Sequence, residues 1–148
     1  MGRGLIHGEE AGIWVAQRVK GAYFAARSSA LGYAIDGEIT AGVIYENYNA
    51  ASVVAHIAVE GRRMSPYFVW AIFDYPFRVC GVAKIICPVG EGNTASRSLA
   101  GRMGFHEECR LAGAHPDGDL IFYTLARQDC RFLGGRYGQK FTIPAPRA

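Results

Sequence analysis

At 148 residues the chain has the length of one ordinary domain and can bury one sizeable core. Half of it is apolar and a fifth is charged, which excludes a disordered chain. A net charge of +3 is too mild to argue for nucleic acid, and the longest apolar run, residues 67–73, is far too short for a membrane span.

In chain order, residues 9–20 pattern as an amphipathic helix, with Ile13, Trp14, Ala16 and Val19 set against Gln17, Arg18 and Lys20. Strands at 31–35 and 38–45 flank Asp36-Gly37, a strong hairpin signal because both residues tolerate positive φ. Asn47-Tyr48-Asn49 makes a second turn, and 51–59 a third strand. Ser65-Pro66 opens a helix through 67–75, since Ser caps free amides and Pro is preset for the first helical position. Pro76 is expected to kink or stop it. Its aromatic face reads as core with a homodimer face as a further option. Residues 84–89 form a buried strand. A helix then opens at Asn93 and closes at Gly104. Strands at 105–111 and 120–125 flank Pro116-Asp117-Gly118, and a short helix spans 129–133.

This order predicts an α/β fold: an antiparallel meander feeding a β-α-β crossover, giving a mixed sheet with helices on both faces. The strands at 51–59 and 84–89 should be parallel neighbours. Residues 1–133 read as a single domain and 134–148, with three Gly and two Pro, as a tail.

The cysteines Cys80, Cys87, Cys109 and Cys130 form no CxxC pair and have no His at metal-ligand spacing, so no metal is expected. Free thiols in a reducing, cytoplasmic compartment are expected instead. Residues 1–12 carry Glu9 and Glu10 and no apolar core, so no signal peptide is expected.

Two stretches carry chemistry. The corner Glu60-Gly61-Arg62-Arg63-Met64-Ser65-Pro66 leads from a strand into a helix, where amides and two arginines suit a pyrophosphate. The second is Asn93 to Phe105. The spacing of Asn93, Leu99, Gly104 and Phe105, taken with that corner, resembles the GNAT-superfamily N-acetyltransferases across roughly residues 10–133. Gly118 to Arg127 is similar to the superfamily's strand after this motif. Phe73-Asp74-Tyr75-Pro76-Phe77 is similar to a helix end in small bacterial and phage-encoded members. More distantly the chain resembles ribosomal-protein alanine acetyltransferases.

The resemblance implies acetyl transfer from acetyl-CoA to an amine in a ternary complex, with the pantetheine arm between splayed strands. It implies cofactor contacts at Ile57, Val59, Gly61, Arg62, Arg63, Met64, Ser65 and Asn93. The acceptor would be an amine-bearing small molecule or a protein N-terminus or lysine, with no membrane or nucleic acid involved. The chain departs from the superfamily twice: its pyrophosphate loop has one Gly, and Ala100 stands where many members place a proton-donating Tyr. The runner-up reading is therefore a non-catalytic acyl-CoA-binding protein of the same fold, acting as an interaction or regulatory module.

Transfer to an amine needs a base, an amide facing the thioester oxygen and a departing thiolate. His56 is the first candidate base, with Glu46 second and Glu60 also available; an unperturbed His titrates near working pH. Tyr45 and Tyr48 are candidates for lining an acceptor pocket.

Overall fold

The computed structural model describes residues 2–19, 27–61 and 64–134. Seven strands form one sheet in the order β1-β2-β3-β4-β5-β7-β6. They are β1 (Arg3–His7), β2 (Ser28–Ile35), β3 (Glu38–Glu46), β4 (Ser52–Val59), β5 (Lys84–Gly90), β6 (His106–His115) and β7 (Gly118–Ala126). The helices are α1 (Glu9–Val19), α2 (Pro66–Asp74) and α3 (Thr94–Arg102). Strands β4 and β5 run parallel, and every other neighbouring pair is antiparallel. The expected mixed sheet, meander and crossover are all present.

The β2–β3 hairpin turns through Asp36 (φ 53°) and Gly37 (φ 84°), as its Asp-Gly pair demands. Strand β1 was not foreseen. It is a five-residue, half-exposed edge strand, too short for an alternating pattern to stand out.

Helix α1 carries Glu9 and Glu10 in its first turn and Arg18 in its last, matching the helix dipole. It packs on one face of β2, β3 and β4 in a small cluster that includes Ala11, Val15, Ala30, Ile44 and Ala58. Two glycines paired across the ladder, Gly32 and Gly42, let it approach closely. A Cβ on Gly42 would lie 2.5 Å from Val15 Cγ2, and one on Gly32 3.1 Å from Ala11 Cβ.

The opposite face carries the main core beneath α2 and α3. Ser65 Oγ accepts the Tyr67 N–H at 3.2 Å to cap α2. Phe68, Trp70, Ile72, Phe73 and Phe77 are all buried, so most of the aromatic face goes to the core as expected.

Pro76 neither stops nor breaks the chain's helical course. A π-helical turn, Tyr75–Val79, follows α2 directly, closed by Cys80 N–H donating to Tyr75 O at 2.9 Å. Proline cannot supply an N–H to the Ile72 carbonyl four residues back. The Tyr45 hydroxyl donates there instead, at 2.5 Å. Buried Asp74 accepts two bonds from Arg78, at 2.7 and 2.9 Å, across the same turn.

Helix α3 buries Ala100 and is closed by Gly104 (φ 94°). Strands β6 and β7 extend beyond their expected bounds, with residues 116–117 turning between them. The short helix expected at 129–133 is a 3₁₀ turn, Arg127–Asp129. The expected tail, apart from Gly134, lies outside the described residues.

Candidate active site

Strands β4 and β5 are paired over residues 52–54 and 84–86 and then separate. Backbone register explains where. Glu60 N–H donates to Thr40 O at 2.8 Å, so alternation along the β3–β4 pair turns the peptide groups of Ala55, Ile57 and Val59 toward β5. On β5, Arg127 N–H donates to Ala83 O and Glu91 N–H to Asp119 O. The same alternation turns residues 84, 86, 88 and 90 toward β4. Lys84 N–H reaches Ala51 O, and the ladder climbs from there. Its next rung past residue 86 would take an N–H from position 88 to the Ala55 carbonyl. Position 88 is proline, and the rung cannot form. The first β4 donor beyond the gap is the Ile57 N–H.

Two contiguous cavities follow the opening. The outer one, about 480 Å³, is lined by Ile57, Val59, Gly61, Met64 and Asn93 among others. The inner one, about 730 Å³, adds Ala55, His56, Cys87, Ala100 and His115. Arg18 at the end of α1 borders both. Its guanidinium lies 3.7 Å from the Trp14 ring centroid, and its Nε donates to Glu60 Oε1 at 2.6 Å. Glu60 is thus tied to α1 and does not line either cavity.

His56 and Glu46 meet. His56 stands opposite Ile44, so Glu46, two residues on, is its diagonal neighbour on the α1 face of the sheet. His56 Nε2 lies 2.6 Å from Glu46 Oε1, with both side chains roughly a quarter to a third exposed. An ionised carboxylate can only accept, so Nε2 carries the hydrogen and a neutral ring keeps its lone pair on Nδ1. The contact engages Nε2 and leaves Nδ1 as the nitrogen not bonded to Glu46.

Asn93 Oδ1 accepts the Ser96 N–H at 3.1 Å, capping α3. That fixes the orientation of the amide. Its NH₂ group has no protein partner among the described residues, and Asn93 lines both cavities. Gly61 (φ 91°) turns the chain out of β4 into the corner. Pro66 has no N–H, and the Tyr67 N–H is taken by Ser65, so the first two positions of α2 offer no free amide at this corner. Arg62 and Arg63 lie outside the described residues.

Two expectations need correction. Tyr45 is 3% exposed, stands opposite Ala55 on the α2 face, and bonds Ile72; burial raises its hydroxyl well above the usual tyrosine range. Tyr48 sits in the β3–β4 turn and donates to Cys80 O at 3.3 Å, at the end of β4 away from the opening. Neither lines the cavities.

Three wall residues were missed. Pro88 is the wedge, and a proline inside a predicted central strand was the available signal. Cys87 is buried, and desolvation pushes its thiol up to about 12. His115, from the end of β6, lays its ring over Gly90. A Cβ on Gly90 would come within 2.6 Å of three ring atoms. His115 Nδ1 accepts the Asp117 N–H at 3.1 Å, so its neutral ring carries the hydrogen on Nε2. Only the fold brings β6 to the end of β5.

No protein-family model matches the chain, and no curated protein matches it. Solved structures do. A chimera of spermidine N-acetyltransferase from Vibrio cholerae and hSSAT superposes with a TM-score of 0.71 at 14% identity, over 89% of this chain and 99% of that one. The V. cholerae spermidine N-acetyltransferase in complex with CoA and spermine matches with a TM-score of 0.63 at 17% identity, over 73% and 69% of the two chains. A probable acetyltransferase matches with a TM-score of 0.60 at 18% identity, over 78% and 67%. At such identities what is shared is the architecture: the chain has the GNAT fold of these acetyltransferases.

Proposed function

We propose that this chain is an acetyl-CoA-dependent N-acetyltransferase that moves the acetyl group directly to an amine in a ternary complex. What supports this most is the opening between β4 and β5, where Ile57, its N–H directed at β5 by the register, and the Glu46-held His56 line one cavity. The fold common to the V. cholerae acetyltransferases, one with CoA bound, adds weight.

In this mechanism the pyrophosphate rests on the Gly61–Ser65 loop, with Arg62 and Arg63 as its cationic partners. The pantetheine arm lies along Val59 and Ile57, and the free NH₂ of Asn93 donates to one of its carbonyls. The Ile57 N–H faces the thioester oxygen and stabilises its developing negative charge. The acceptor nitrogen attacks the thioester carbon. The C–N bond forms, the C–S bond breaks, and the nitrogen's proton passes to His56 Nδ1. Glu46 steadies the imidazolium. Ala100 has nothing to donate, so solvent protonates the leaving thiolate.

The acceptor is an amine-bearing small molecule or a protein amine. Spermine, the compound bound in one structural neighbour, belongs in the first panel tested. The cysteines would serve as free thiols in a cytoplasmic setting, and all four are free in the structure. Among the described residues no helix is long and apolar enough to cross a membrane.

The test is thiol release from acetyl-CoA in the presence of polyamines, small primary amines and peptide N-termini. Amine-dependent release of free CoA is expected. Tight CoA binding without release for any acceptor would favour the non-catalytic acyl-CoA binder, the reading that an acid-free α3 at Ala100 also suits.

A further inference from the structure

We infer that this slot also accepts acyl groups longer than acetyl, short linear chains such as butyryl. The inference rests on the acyl-CoA reading above and goes on to the acyl specificity of that site. A ligand held at Gly61, with its thioester at the Ile57 N–H, points its acyl end inward. The inner cavity, about 730 Å³, is shared by the acyl end and by the acceptor rim that carries His56, His115 and Asp117.

The wall beyond Ile57 is apolar and small. Ala55, Cys87, Val89, Ala100 and Phe105 line the inner cavity and not the outer one. All five are at least nine-tenths buried. None is charged at neutral pH, since burial holds the Cys87 thiol protonated. The polar groups of the inner cavity, His56, His115 and Asp117 among them, come from the other rim, where an amine would enter. An acyl chain and a cationic acceptor thus have separate surfaces. Ala100 is the decisive position. It is buried on α3 facing the cavity, and its single methyl leaves space that a larger aliphatic side chain would fill.

The experiment is calorimetric binding of acetyl-, propionyl- and butyryl-CoA to the full chain, followed by thiol release with the same three thioesters. Each methylene buried in an apolar site contributes roughly fourfold in affinity. Butyryl-CoA, two methylenes longer, is therefore expected to bind about fifteenfold tighter than acetyl-CoA. In Ala100→Leu, and independently in Ala55→Val, the ratio of butyryl to acetyl affinity should fall toward one. Melting curves verify that each variant folds, and the wild-type series alone tests the inference if neither does. Acetyl-CoA binding as tightly as butyryl-CoA, or more tightly, overturns the chain-length inference and leaves the transferase reading intact. Failure of all three thioesters to bind overturns that reading as well.

Discussion

The same two strands, β4 and β5, behave differently at their two ends. At the closed end everything is paired within the chain. Ala51 O accepts the N–H groups of Ala83 and Lys84, Asn49 Oδ1 accepts those of Ala51 and Ser52, and Tyr48 ties the turn to Cys80. At the open end residues 55–59 face residues 87–90 across a cavity. The closed end spends its donors on itself. Buried peptide groups rarely stay unpaired, so strands held apart in a core call for a bound partner or water to satisfy them. The border between the two regimes is one residue, Pro88.

The largest effect should come from the rim of the open end. His56→Gln preserves a hydrogen bond to Glu46 but cannot take a proton. Amine-dependent turnover should fall on the order of 10²–10⁴-fold, with little change in KM for the acyl-CoA. The loss should shrink at high pH, where the acceptor is already neutral. Glu46→Gln should cost less, since it leaves the base in place and removes only the charge that steadies it. Steady-state kinetics across pH 6–9 checks both. Wild-type turnover in His56→Gln would move the proton to water or to His115.

The closed side should respond in stability instead. Tyr45→Phe removes the donor that serves the Ile72 carbonyl above Pro76. A loss of about 0.5–1.5 kcal/mol is expected in urea denaturation. Affinity for CoA should stay at the wild-type level, because Tyr45 does not touch the cavities. Weakened binding with unchanged stability would return Tyr45 to the site.

The sequence shows much of this in outline. Asp36-Gly37, Ser65-Pro66 and Asn93 to Gly104 announce their turns and caps through local chemistry, and the elements fall where that chemistry puts them. What local pattern does not carry is pairing. Glu46 and His56 are ten residues apart, and only the β3–β4 register makes them diagonal neighbours. Strand parity alone was enough to separate Tyr45 from Glu46, since adjacent residues on a strand point to opposite faces. Pro76 reads as a helix stop locally, yet a side chain from β3 supplies the donor it lacks. β1 is legible only once β2 exists to pair it.

A smaller effect should come from the mouth of the opening. Asn93→Asp keeps an oxygen to accept the Ser96 N–H, and a carboxylate suits a helix N-terminus, so the melting temperature should hold or rise slightly. It removes the free NH₂ and brings a negative charge beside an anionic ligand. Affinity for CoA should drop several-fold, on the scale of about 1 kcal/mol, as read by calorimetry at low salt. A fall in stability without a fall in affinity would reduce Asn93 to a cap.

The smallest change tests the border itself. Pro88→Ala gives β5 an N–H directed at the Ala55 carbonyl, the missing rung of the parallel ladder. One added hydrogen bond contributes about 0.5–1.5 kcal/mol, while the freer unfolded chain costs about 0.4–1 kcal/mol. The two nearly cancel, so stability should stay within about 1 kcal/mol of wild type. The effect belongs elsewhere. A rung at position 88 would bring its own carbonyl against the Ile57 N–H and so occupy the donor assigned to the thioester oxygen. Amide exchange at Ile57 should slow in the unliganded variant, and acyl-CoA affinity should fall. If exchange at Ile57 and acyl-CoA affinity both match wild type, Pro88 is not what holds the strands apart, and the opening must instead be set by the packing of α3 and Phe105 beneath it.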